Sequence, residues 1–389
     1  MIPLFNDNSP LTWHIEAESL NQKKLLSLAE IRASVAGFAA FLLKQNTARK
    51  HPEIVALAFW FRQAHLAQIT ESMPTELTNK KVHRVFHIAP ANVDTVFMYS
   101  VLLSVLCANQ NIVRVSQRSG EVTWVLISLL KKYLKLPQGL ALSSQVAVVE
   151  YNAQHEQVTE QLSNWCDLRV IWGGDEAIKA VSAIAPQTAQ VCFPDRYSVA
   201  ILSLDNISEI ASKASWLLGD VLPFNQQACS SPKAVYWLNT PKNLQQNFWC
   251  EVENQLDSTQ HKLDISSKVE QQINFQYLAA ALGLIMDIDD EQKNKPFANI
   301  QSIGVLGRCK VRHLNGEILA SHNGNGLILE QDITTPDALA FSEKLQTIAC
   351  AVAPQVLEIE GEYKRITKLG NSLVFDTVWD GIDLLEVFH

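Results

Sequence analysis

No Cys-x-x-Cys pair occurs in the 389 residues, and the seven cysteines, at positions 107, 166, 192, 229, 250, 309 and 350, are odd in number. This spacing excludes a disulfide framework and a zinc cage as the basis of the fold, and no metal site is expected. Most of the seven should be small core hydrophobes, so a chemical role has to be argued for each separately. Positive charge is scarce as well. With 32 Lys and Arg against 40 Asp and Glu, a net charge of −8 and no basic block, the chain lacks the field that nucleic-acid binding needs. Long apolar runs are missing too. VFMYSVLLSVLCA (96–108) and QYLAAALGLIM (276–286) fall short of the ~20 residues that cross a bilayer and are expected as buried helices. The opening MIPLFNDNSPLTWHIEAESL lacks the charged-then-apolar pattern of a signal peptide, so a cytoplasmic location is expected. There is no internal repeat, no low-complexity tract and no GxGxxG.

What is present is an ordinary globular composition, 47% hydrophobic and 19% charged, in a chain long enough for two or three folding units. Residues 20–72 carry apolar residues at three- and four-residue steps and predict two helices. From VHRVFHIAP (82–90) onward, short β-branched segments alternate with helical ones: NIVRVS (111–116), EVTWVLISLLKKYLKL (121–136), QVAVVEY (145–151), HEQVTEQLSNW (155–165), DLRVIWGG (167–174) and DEAIKAVSAIA (175–185). That alternation predicts a doubly wound parallel α/β unit over the first ~200 residues. RYSVAILSLDN (196–206) reads as a connecting strand. SPKAVYWLN (231–239) opens a second α/β region that runs to about residue 360.

Several residues in this framework could carry chemistry. Cys229, in FNQQACSSP (224–232), follows three polar residues poorly suited to a core and precedes a strand. It is either a nucleophile on a loop or one more inert thiol. Asn92, in IAPANVD, sits between a strand and the helix 96–108, at the sheet edge where open α/β folds bind ligands. Its amide could donate to an oxyanion or only satisfy the turn, with Asp94 the better cap for that helix. Gly173 and Gly174 end a strand directly before a helix, an arrangement that admits a phosphate or is a simple tight turn. His83 and His87 share a strand face and read as structural. HNGNG (322–326) carries tight-turn chemistry, and DIDDEQKNK (287–295) reads as a solvated loop rather than a calcium loop.

Together, APANVD, NIVRVS, IWGGDEAI and FNQQACSSP follow the order and approximate spacing of the aldehyde dehydrogenase superfamily. Within it, roughly residues 80–389, including the terminal LVFDTVWDGIDLLEVFH, resemble the LuxC-type acyl-CoA or acyl-protein reductases. The resemblance implies an aldehyde dehydrogenase-like α/β fold: N-terminal helices and a Rossmann-type nicotinamide domain over 1–203, and an α/β catalytic domain over 204–360. The segment 361–389 is then expected to pack back or to lie at an oligomer interface.

By the same resemblance, Cys229 matches the catalytic cysteine, and Asn92 the amide that forms an oxyanion hole with the Cys229 N–H. Arg114 matches a lysine that touches the adenosine ribose, with Ser116 its neighbour, and Gly173 and Gly174 match the turn under the cofactor pyrophosphate. One departure stands out: where hydrolytic aldehyde dehydrogenases have Glu-Leu-Gly-Gly-Lys, this chain has VCFPDRYSVAI (191–201). No glutamate occupies it, and Asp195 is the nearest carboxylate. The resemblance thus implies reduction of a long-chain acyl-CoA or acyl-protein thioester to an aldehyde through an acyl-cysteine, with NADPH, or NADH, as cofactor. It also implies an acyl-protein synthetase as partner and a homo-oligomer. An aldehyde-oxidising dehydrogenase and a catalytically silent synthetase-binding subunit are the alternatives.

Overall fold

The computed structural model describes residues 10–17, 20, 27–71, 73, 80–90, 94–259, 262–281, 301–352 and 359–389. Asn92 and DIDDEQKNK (287–295) lie outside the described residues. The chain forms two compact units, Met1–Pro194 with Phe375–His389, and Asp195–Val374.

The first unit is built on six strands: β1 (Leu11–Ile15), β2 (Arg84–Ile88), β3 (Gln110–Val115), β4 (Val146–Tyr151), β5 (Leu168–Trp172) and β6 (Gln190–Phe193). They are ordered β1-β4-β3-β2-β5-β6, parallel throughout except for β1, an antiparallel edge on β4. Strands in such a sheet are covered on both faces and need apolar residues at nearly every position. Accordingly Val85, Val113 and Val148 join one core while Phe86, Ile112 and Val149 join the other. The predicted strand-helix alternation from 82 to 183 is therefore present. The helix Val96–Leu106 has all eleven residues buried, and each large side chain contributes about 1.5–3 kcal/mol over leaving it in water.

The lead-in differs from expectation. The helix Leu28–Lys44 starts at a capping box of Ser27 and Glu30, but a short extra helix Asn46–Arg49 follows it, and the second predicted helix, PEIVALAFWFRQAHLAQITESM from Pro52, is broken into Pro52–Trp60 and Gln63–Ile69. Neighbouring residues of a regular helix do not share a face. The break at Phe61–Arg62 lets the rings of both Trp60 and Phe61 reach Tyr99, at 5.6 and 6.4 Å. The last residues also belong to this unit. A short hairpin of β14 (Val378–Trp379) and β15 (Ile382–Asp383) leads to the fully buried Leu384 and Phe388, and Asn109 Nδ2 donates to the Phe388 carbonyl at 2.9 Å.

The second unit holds seven strands: β7 (Tyr197–Leu202), β8 (Pro232–Leu238), β9 (Gln301–Ile303), β10 (Leu306–Lys310), β11 (Leu327–Ile333), β12 (Leu345–Ala351) and β13 (Arg365–Lys368). Their order is β13-β12-β7-β8-β11-β10-β9, with only β9 antiparallel to its neighbour. The segment predicted to be a connecting strand is thus β7, central in this sheet between β12 and β8. All six of its residues are buried, which is why it reads as a continuous apolar run. Of the segment 276–286 expected as a buried helix, 276–281 are the end of the helix Ile265–Ala281, where Leu278 is buried but Tyr277 is 54% exposed, and 282–286 lie outside the described residues. Among the described residues, no helix is long and apolar enough to cross a membrane.

Candidate active site

Three loops enter adjacent parallel strands of the second unit at their N-terminal ends. Asp195 precedes β7, Cys229 precedes β8 and HNGNG precedes β11. The Cys229 thiol donates to Asp195 Oδ1 at 3.8 Å, and Ser198 Oγ on β7 donates to the Cys229 carbonyl at 2.7 Å. The nucleophile candidate is half-buried. Cysteines 107, 166, 309 and 350 are buried, and burial pushes each thiol up to about 12, as expected for inert core sulfurs.

The cysteine loop departs from ordinary backbone geometry. Phe224, Asn225 and Gln226 stand in succession at φ of 55°, 50° and 62°. Non-glycine residues reach that left-handed region only at a cost, and such strain persists where the surroundings over-determine it. The surroundings here are the HNGNG loop. The Asn325 N–H donates to the Asn225 carbonyl at 2.7 Å, and Gln227 Nε2 donates to Asn325 Oδ1 at 3.1 Å. Gly324, at φ 84°, packs so closely that a Cβ there would lie 2.5 Å from the Gln226 carbonyl oxygen. The sequence marks HNGNG as a turn; its service as a brace for residues 225–227 shows only in the fold. Gly324→Ala should therefore lower stability by roughly 1–3 kcal/mol and slow alkylation of Cys229. A thermal melt and a thiol-labelling time course check this, and an unchanged pair of values would remove the brace.

Lys233, on β8, is 4% exposed and donates through Nζ to the Gln226 carbonyl. Burial lowers it to about 8, against Cys229 and Asp195, which raise it. Buried His322 is pushed down to about 3 by desolvation and then by Lys233, so it is neutral; its Nδ1 accepts from the Gly324 N–H at 3.0 Å. Sequence reading missed both residues. A charged residue on a fully buried strand was the available signal for Lys233. Asp195 is exposed, whereas the buried carboxylates Glu330 and Asp220 have structural partners. Glu330 accepts from Trp237, Trp249 and Arg308, and Asp220 accepts from the Gly370 and Ser372 N–H groups.

In the first unit, the predicted cofactor residues lie on one edge of the sheet. Arg114 and Ser116 stand at the C-terminal end of β3, and Gly173 and Gly174 at that of β5, on either side of β2. Strand order reverses between β2 and β5, the crevice where open α/β sheets take ligands. Arg114 Nη2 donates to the Tyr151 carbonyl at 3.2 Å, while its buried Nε has no hydrogen-bond partner. Ser116 Oγ accepts from the Arg118 N–H at 3.1 Å. A Cβ on Gly174 would meet nothing within 4 Å, so the backbone there faces open space. Asp175 and Glu176 occupy the first turn of the following helix, and their charge opposes a phosphate at that terminus.

Asp94 does not cap its own helix as expected. Its Oδ1 accepts from the Gly120 N–H at 3.0 Å and the Thr123 hydroxyl at 2.6 Å, tying the post-β2 loop to the start of the helix Glu121–Tyr133. His87 is structural, held between Ser100 Oγ and Asn111 Oδ1 at 2.9 Å each.

With this geometry described, the acyl-CoA reductase (LuxC) family model matches residues 77–294, more than half of the chain. The chain belongs to the LuxC family. Curated relatives include long-chain acyl-protein thioester reductase 2 of Photobacterium leiognathi, 25% identical over 44% of this chain and 34% of that protein. Another is the long-chain acyl-protein thioester reductase of Photorhabdus laumondii, 24% identical over 58% of this chain and 48% of that protein. The LuxC-family chain thus spans about a third to a half of the length of these relatives in the matched regions. Among solved structures, salicylaldehyde dehydrogenase of Pseudomonas putida G7 aligns with a TM-score of 0.65 at 13% identity, covering 96% of this chain and 87% of that one. An aldehyde dehydrogenase of Bartonella henselae gives 0.61 at 12%, covering 95% and 87%. At such identities the likeness establishes the aldehyde dehydrogenase fold.

Proposed function

We propose that this LuxC-family chain reduces an acyl thioester to an aldehyde through an acyl-Cys229 intermediate. The observation that carries the reading is the Cys229 thiol beside the Asp195 carboxylate, at 3.8 Å, on a strained and braced loop. Asp195 takes the thiol proton, the Cys229 sulfur adds to the thioester carbonyl, and the donor thiol leaves with a proton. A cysteine suits both halves of the reaction: thiolate exchange with a thioester is nearly thermoneutral, and the same sulfur leaves readily when a thiohemiacetal collapses to aldehyde. Asn92 and the Cys229 N–H are the oxyanion donors in this reading.

A bound nicotinamide supplies the hydride. The first unit suits such a group, since its sheet has the crevice at β2 and β5, an open backbone at Gly174 and an Arg114 Nε without a partner. Arg114 favours the 2′-phosphate of NADPH over NADH in this reading, as the one cation among the assigned cofactor residues. The acyl donor in this reading is a long-chain acyl-protein, following the names of the relatives, or an acyl-CoA, following the family's description.

Asp195 also favours a second reading, because a carboxylate beside the sulfur can activate water and hydrolyse the acyl-enzyme, which is the aldehyde-oxidising reaction. A product assay separates the two. The purified chain with a long-chain acyl-CoA and NADPH should yield fatty aldehyde and free CoA. Free acid from aldehyde and oxidised nicotinamide, without a thiol acceptor, would instead establish the oxidiser.

A further inference from the structure

Lysine is almost never fully buried without a charged partner, because removing an ammonium from water is costly. Lys233 is 4% exposed, and among the described residues its one hydrogen bond goes to a main-chain oxygen, that of Gln226. The cost therefore needs an explanation in what surrounds the side chain. The groups that act on its charge are Cys229, four residues earlier on the loop that leads into β8, Asp195 on the loop before β7, and His322 on the loop before β11. His322 is neutral, so of these three groups only Asp195 and Cys229 can place a negative charge beside Lys233.

Those two groups conflict. A carboxylate 3.8 Å from the sulfur disfavours a thiolate by like-charge repulsion, although the reaction requires one. Lys233, itself buried, offsets that repulsion, while the exposed Asp195 carboxylate is partly screened by water. The same ammonium satisfies the carbonyl of Gln226, the last of the three left-handed residues before the cysteine. We propose that Lys233 is a positioning residue for Cys229, its buried charge favouring the ionised, nucleophilic sulfur as Asp195 takes the thiol proton, while its hydrogen bond fixes the loop. The proposal rests on Cys229 being the nucleophile. Because Lys233 is lowered to about 8 by burial, its charge is present at neutral pH and is lost in mildly alkaline solution.

The test is the pH profile of iodoacetamide alkylation of Cys229 in the full chain, read on the Cys229 peptide by mass spectrometry so that exposed Cys250 does not interfere. Lys233→Gln removes the charge but keeps a donor, and Lys233→Arg keeps the charge. The wild type should show a midpoint below the ~8.5 of an ordinary thiol. Lys233→Gln should raise it by about one unit, with an alkylation rate at pH 7 about tenfold lower, and Lys233→Arg should restore most of the difference. A wild-type midpoint at or above 8.5 would overturn the proposal even if the variants failed to fold. So would a Lys233→Gln profile matching the wild type, or an arginine variant no better than the glutamine one. Alkylation needs neither acyl donor nor nicotinamide, so a chain that shows the shift but reduces no thioester would refute the proposed reaction and leave the role of Lys233 intact.

Discussion

Cys229→Ala is expected to abolish acyl transfer completely. When the wild-type chain is mixed with a long-chain acyl-CoA and no nicotinamide, intact-protein mass spectrometry should show one added acyl group. NADPH should then remove that group and release aldehyde. The alanine variant should show neither event, because no other thiol combines the surroundings of Cys229. Four of the other six are buried in apolar cores, where the thiolate is suppressed. The substitution removes a half-buried side chain and leaves the Cys229 carbonyl free to accept from Ser198 as before, so the fold should survive and a thermal melt should confirm it. Persistence of the adduct in the alanine variant would transfer the nucleophile to another residue. Absence of an adduct on the wild type with both acyl-CoA and an acyl-protein would bring forward the silent-subunit alternative.

Asn92→Ala is expected to lower turnover by a hundred- to a thousand-fold. Both the attack on the thioester and the collapse after reduction pass through a tetrahedral oxyanion, so a single amide donor serves both steps. Removing one such donor costs about 2.7–4 kcal/mol. The loss should fall on kcat more than on KM, because the hydrogen bond strengthens only as charge develops on the oxygen. A melting temperature close to wild type would attribute the loss to chemistry. Near-normal turnover would end the assignment of Asn92, which rests on its place in the sequence between β2 and the helix Val96–Leu106.

The parallel strands β2 to β5 and the helices between them were legible in the sequence, because strands covered on both faces must be apolar nearly everywhere, the helix Val96–Leu106 is an unbroken apolar run of helical length, and the helices Glu121–Tyr133 and Glu156–Trp165 carry a period of three to four. Cys229 was legible for a different reason. A thiol among polar residues just before an apolar strand is a local anomaly, and local anomalies survive in one dimension. Short edge strands such as β1 and β6 left no comparable pattern, since a strand of four or five residues with one open side has little periodicity to show.

Other features depended on pairing between distant segments. That β7 is the centre of the second sheet and not a connector was decided by β8 and β12 closing on its two sides. That Asp94 serves the helix at Glu121 and not its own was decided by the approach of Gly120. The surroundings of the sulfur belong to the same class: Asp195, Lys233 and the HNGNG loop lie up to about a hundred residues from Cys229 in sequence and meet it because β7, β8 and β11 are neighbours. The sequence by itself determined the doubly wound alternation and the identity of the nucleophile candidate, since burial pattern and residue chemistry are local properties. Only the tertiary structure decided what surrounds that thiol, because hydrogen bonds and charge interactions depend on distance through space, and the strand order of the second sheet sets those distances.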